Sequence, residues 1–291
     1  MDLTVLVVPY DTARRDARMG RGPARLLEGG LVAALADAGH QVRCERIEAD
    51  ERPATSETAM TFDLNRRLAE AVRRAVNAGT FPLVLAGNCG TAVGTLAGLG
   101  SGADGVVWFD AHADFNTPDT TVTGFLDGMA LAMVTGRCWT SLAAGVPGFR
   151  PVPEERVLLV GARDLDEQEA VALAGSGVQR VSADAARAAG FRAVLEPALR
   201  TLPKRGRGVY VHLDLDVLDP TEARVNQFAA PGGLTSAEVV DALHVIGEQR
   251  GIAAAAFTAY DPSSDPAACV PPIARRLLEA LLQPLERGAR M

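Results

Sequence analysis

The stretch Val106–Thr121, VVWFDAHADFNTPDTT, decides how the rest of the chain is read. Four apolar residues of strand character run into Asp110, His112 and Asp114, two positions apart and spaced by alanines. Side chains alternate across an extended strand, so the three polar groups would share one side, successive members ~6–7 Å apart. A second stretch has the same form: VYVHLDLD closes on Asp214 and Asp216, with His212 one step earlier on that face. Neither contains a lysine or arginine.

Outward from these two stretches, short apolar runs alternate with amphipathic ones. Strands are expected at 3–8, 82–86, 105–110, 156–161, 208–216 and 251–260. PARLLEGGLVAALADAG (23–39) reads as one helix stopped by Gly39, because glycine is the usual residue just past a helix end. Leu64, Leu68, Val72 and Val76 recur every four residues before Gly79, a helical period. Thr235 and Glu238 form a capping-box pair, and Ile273, Leu277 and Leu281 mark a last helical face. Continuous apolar strands separated by helices indicate a parallel sheet covered on both faces. With no linker and no repeat, residues 1–291 are expected to form one domain. Ligands of such sheets bind beyond the carboxyl ends of the strands, where the acidic residues lie.

Composition narrows the function. The chain is 48% hydrophobic and 22% charged, with net charge −7 and no basic cluster, which argues against a nucleic-acid partner. No apolar run approaches the ~18 residues of a membrane span. MDLTVLVVPYD reads as a first strand rather than a signal peptide. Cys44, Cys89, Cys138 and Cys269 are scattered, as in a reduced cytoplasmic chain.

Four carboxylates and an imidazole gathered without a cationic side chain would repel; two like charges at ~4 Å cost about 4 kcal/mol at intermediate dielectric. Divalent cations remove the repulsion, and oxygen-rich ligation with one imidazole suits Mn²⁺. Aspartates that merely cap helices and bind loop amides would explain one DxD, but not two at strand ends. His212 is either a partner of that site or a plain core histidine, and Asp219 in LDP reads as a turn residue.

FDAHADFNTPDTTVTGFLDGM and HLDLDVLDP…PGGLT resemble the two signature regions of the arginase/ureohydrolase family, which includes agmatinase, guanidinobutyrase and formimidoylglutamase. The likeness extends to GRGPARLLEGGL, GARDLDEQE and the final YDP. It implies a three-layer α/β/α sandwich with a central, mainly parallel sheet. It also implies a two-manganese site whose bridging hydroxide attacks a guanidinium or amidine carbon. By position, Asp110 and Asp214 match carboxylates that bridge both metals. His112 and Asp216 match ligands of one metal, Asp114 a ligand of the other. Asn116, Thr123, Asp166 and Glu169 match substrate-binding positions. Trimers or hexamers are common in the family.

Three departures stand out. Asn88 and Cys89 occupy the place of an aspartate and a ligand histidine, so Cys89 ligates a metal, leaves that site weak or empty, or is a bystander. Asp127 replaces a histidine thought to move protons; it is a general acid or a contact for a cationic substrate. Phe125, Phe228 and Ala259 replace substrate contacts, Ala259 an acid that grips the guanidinium. The leading expectation is a binuclear-metal amidinohydrolase of a guanidino, hydroxyguanidino, amidine or formimino compound. The cysteine resembles a hydroxyarginine-hydrolysing branch. The alternatives are a catalytically silent metal- and ligand-binding relative and a single-metal, deacetylase-like hydrolase.

Overall fold

The computed structural model describes residues 1–49, 56–204 and 206–289, with only the backbone of the last five of these. Among the described residues ten strands run in chain order: β1 Asp2–Val8, β2 Tyr10–Asp11, β3 Arg14–Arg15, β4 Gln41–Arg46, β5 Phe81–Ala86, β6 Val106–Phe109, β7 Val157–Val160, β8 Gln179–Val181, β9 Val209–Asp214 and β10 Ile252–Thr258. β2 and β3 pair as a small antiparallel hairpin. The other eight form one sheet in the order β4-β1-β5-β10-β9-β6-β7-β8, and every pairing in it is parallel.

Alternate side chains of each strand feed opposite layers. Leu3, Val5 and Val7 of β1 enter one core, with helices 22–28, 191–201, 236–250 and 270–289. Leu6 and Val8 enter the other, with helices 57–77, 92–99 and 130–135. Both faces are apolar because both are covered, and the architecture is the expected α/β/α sandwich.

Two local expectations fail. Residues 23–39 form two helices, Gly22–Glu28 and Leu31–Asp37. Gly30 takes φ +85°, a left-handed conformation that ends the helical hydrogen-bond run. The second acidic stretch does not stay extended through Asp216: β9 stops at Asp214 and Leu215–Val217 form a 3₁₀ turn. Asp214 Oδ1 accepts from the Asp216 amide at 2.8 Å, a side-chain-to-backbone bond that competes with strand pairing. Asp114 likewise leaves the strand geometry, at φ +52°. The aspartates converge through these turns and not through simple alternation.

The sheet order places the site. β5 and β6 are consecutive strands of this sheet, yet β10 and β9 are inserted between them. The chain leaving β5 turns at Gly87, where a Cβ would lie 2.1 Å from the Tyr10 carbonyl oxygen. Only glycine lets the two backbones approach so closely.

Candidate metal centre

Four adjacent strands deliver the polar groups: Cys89 follows β5, Thr258 ends β10, Asp214 ends β9, and Asp110, His112 and Asp114 follow β6. Donor atoms of Cys89, Asp110 and Asp214 lie within 4.8 Å of one another, and so do those of Asp110, His112 and Asp216. Asp110 belongs to both groups. Cys89 Sγ is 3.0 Å from Asp214 Oδ2, and His112 Nδ1 is 3.3 Å from Asp110 and 3.5 Å from Asp216. Asp114 stands outside both groups; its Oδ2 is buried without a hydrogen-bond partner.

Neighbouring groups orient these ligand atoms. Trp108 Nε1 donates to Asp110 Oδ2 at 2.9 Å, and the His112 amide to Asp110 Oδ1 at 2.8 Å. Asp216 accepts from the Ala111 amide at 3.1 Å and from Asn226 Nδ2 at 3.1 Å. Arg163 donates to the carbonyls of Asp216, Val217 and Leu218, pinning the turn that carries Asp216.

Burial, then the neighbouring carboxylates, raise the pKa of Asp110, and raise those of Asp114 and Asp214 well above the ordinary value. Burial, followed by the same acids, pushes the Cys89 thiol well up. His112 loses to burial but gains more from Asp110 and Asp216, and its pKa rises to about 9. Protons are therefore drawn into this cluster to offset charge, and divalent cations would take their place. The orphaned Asp114 oxygen, the shared Asp110 and the buried acids fit a pair of cations.

A cavity of about 210 Å³ opens onto this cluster. It is lined by Asp114, Asp127, Asp164, Asp166, Glu169, Asp214 and Asp216, and by no lysine or arginine among the described residues. Asn116 donates from Nδ2 to Asp166 at 2.9 Å and accepts from the Thr120 hydroxyl at 2.9 Å. Glu169 accepts from the Phe115 amide at 2.8 Å. Thr123 is exposed on the wall and accepts from the Phe125 amide at 3.2 Å. Phe125 and Phe228 stack across the mouth, ring centroids 5.5 Å apart. Ala259 reaches the cavity at φ +64°.

Asp127 also lines the wall, but each of its oxygens is engaged: Oδ1 by the Gly90 amide at 3.0 Å, Oδ2 by Asn88 Nδ2 at 2.8 Å. Burial lifts its pKa to about 7 against those two bonds. Asp219 accepts from the amides of Thr221, Gly232 and Gly233, as a turn residue should. Sequence reasoning missed Asn226, Asp164 and the carbonyl-binding role of Arg163. No spacing marked Asn226, which lies in a loop, whereas Arg163 stood in plain view within GARDLDE.

The arginase family model matches residues 1–282. The chain belongs to the arginase family. It is 32% identical to the arginase of Bacillus subtilis over 97% of this chain and 98% of that protein. It is 30% identical to the arginase of Bacillus caldovelox, over 90% and 92%. The crystal structure of arginase from Bacillus cereus superposes with a TM-score of 0.87 at 30% identity, over 97% and 98%. As an arginase-family protein the chain is a metal-dependent amidinohydrolase, cleaving C–N bonds of linear amidines in small molecules. Members of the arginase family depend on a binuclear metal centre, and the two donor groups that share Asp110 suit one.

Proposed function

We propose that the enzyme holds two Mn²⁺ ions and hydrolyses the guanidino or N-hydroxyguanidino group of a cationic, amino-acid-like small molecule. The observation that carries this reading is the pair of donor groups joined through Asp110. Cys89, Asp110, Asp114 and Asp214 would hold one cation; Asp110, His112, Asp214 and Asp216 would hold the other. Carboxylates and an imidazole suit manganese, while the thiolate biases the first site toward a softer metal. Bound there, the cations neutralise the carboxylates and activate water for attack on the amidine carbon.

The protein's own residues do the rest. The acidic wall attracts a cation and disfavours anions. Asp166, Glu169, Asn116 and Thr123 line the end that would receive an amino acid's charged groups. At the other end, Ala259 offers a methyl where a carboxylate would grip a plain guanidinium. A guanidinium left without that partner forgoes charge-assisted bonds, whereas an N-hydroxyl needs the space. That supports an N-hydroxyguanidine as the preferred substrate.

The test is product release across a panel of guanidines, N-hydroxyguanidines, amidines and formimino compounds, with metal content measured on the same sample. Two manganese per chain are expected, with urea released from the guanidine and N-hydroxyurea from the N-hydroxyguanidine, the latter faster. A fully loaded protein that turns over only formimino compounds overturns the substrate assignment.

Three wider readings accompany it. The continuous eight-stranded sheet supports one arginase-like domain over residues 1–291. The four free cysteines support a reducing, cytoplasmic setting, and no helix of the described residues is long and apolar enough to cross a membrane. Assembly into trimers or hexamers is proposed from the family; light scattering on the purified protein tests it.

A further inference from the structure

From Cys89, through residues that do not line the cavity, a buried polar chain crosses the two central strands. Cys89 Sγ lies 3.2 Å from Thr258 Oγ1 on β10. Thr258 Oγ1 lies 3.3 Å from His212 Nε2 on β9, and His212 Nδ1 lies 2.9 Å from the Tyr210 hydroxyl. All four residues are at most 1% exposed. His212 is clamped flat on Trp108, ring centroids 3.7 Å apart and planes 13° from parallel. Buried polar groups this close must share their protons in a consistent order.

Only two orders satisfy every link, because a neutral imidazole has one donor and one acceptor nitrogen. In one, a Cys89 thiol donates to Thr258, Thr258 to His212 and His212 to Tyr210. In the other, Tyr210 donates to Nδ1, Nε2–H donates to Thr258 and the Thr258 hydroxyl donates to sulfur. The metal-ligating form of cysteine is the thiolate, which has no proton to give. The second order alone accommodates it, and loss of the proton that the thiol gives Asp214 Oδ2 at 3.0 Å would open that side of the sulfur to a cation.

We infer that Thr258, backed by His212 and Tyr210, is a positioning residue that donates a hydrogen bond to the Cys89 sulfur and holds it as a thiolate ligand. His212 and Thr258 are thus the companions that the cysteine needs in place of a ligand imidazole. This rests on the proposed ligation by Cys89. The bond would fix the direction of the sulfur, as partners of metal ligands generally do, and, being donated to the sulfur, would draw electron density from it.

Cobalt makes the sulfur visible: Co²⁺ bound to a thiolate shows a near-ultraviolet charge-transfer band. The wild-type protein is expected to show it and Cys89→Ala to lack it. Thr258→Val should bind Co²⁺ about 10–100-fold more weakly and shift the band to lower energy, since the sulfur loses a donor. Thr258→Ser, which keeps the hydroxyl, should restore both. Melting of the metal-free proteins identifies a variant that misfolds, and Thr258→Ala then carries the same comparison. A Thr258→Val or Thr258→Ala protein with wild-type band and affinity overturns the inference while leaving ligation by Cys89 intact. A wild-type cobalt protein without the band overturns both.

Discussion

Asn88 reaches across 39 positions of sequence to bond Asp127, Nδ2 to Oδ2 at 2.8 Å, while Gly90 two residues on bonds the other oxygen at 3.0 Å. One carboxylate therefore braces the turn that carries Cys89 from both sides. Asp127→Ala strands a buried amide N–H and a side-chain amide, a loss of about 1–3 kcal/mol. Its melting temperature should fall and its metal content should drop by up to one equivalent per chain. Asp127→Asn keeps an oxygen for Gly90 and should lose less of both. Full metal occupancy in Asp127→Ala would show that the brace is dispensable.

Sulfur in the first site makes metal choice a testable property. Cys89→His is expected to raise the preference for Mn²⁺ over Zn²⁺ relative to the wild type, because imidazole is the harder donor. Competition between the two metals, followed by elemental analysis, measures the ratio. An unchanged ratio would mean that the sulfur does not contact metal.

Ala259 lines the cavity at the end proposed to receive the guanidinium. Ala259→Glu introduces the missing carboxylate at a position whose φ of +64° the alanine already tolerates. One charge-assisted bond is worth about 1.5–3 kcal/mol, so kcat/KM for a plain guanidine should gain about tenfold or more over the N-hydroxyguanidine. Steady-state rates with the two substrates decide it.

Asp219 is held below its ordinary pKa, chiefly by the Thr221 hydroxyl and, against the opposing effect of burial, by the amides of Thr221, Gly233 and Gly232. A folded pKa below the unfolded one means the unfolded state binds the proton more readily. The stabilising effect is then complete above the unfolded carboxylate pKa of about 3.9 and disappears as pH falls through the lower folded value. The melting-temperature gap between wild type and Asp219→Asn should be largest near pH 6 and shrink on acidification toward pH 3.

Much of this was legible beforehand for a physical reason: alternation, helical period and strand-end acids are local signals. The Thr235–Glu238 capping box forms as read, Thr235 accepting from the Glu238 amide and Glu238 from the Thr235 amide. The break at Gly30 was hidden because a glycine pair fits both a helix interior and a left-handed stop. The aspartates' turns were hidden because strand alternation predicts the same convergence by another route. His212 was legible as a candidate partner of the site, but its link to Cys89 through Thr258 was not. Thr258 sits opposite Asp214 only through the β10–β9 register, and His212 opposite Trp108 through the β9–β6 register, neither of which any single segment encodes.

That arrangement gives the order of strands a kinetic meaning. Residues 89, 110, 214 and 258 meet only when β9 and β10, late in the chain, lie between the earlier β5 and β6. Pairings so distant along the chain form slowly, and until they do, no segment alone offers a cation more than a fragment of its coordination sphere. Were cations to bind as proposed, a complete set of ligands would exist only in a chain whose central strands have closed.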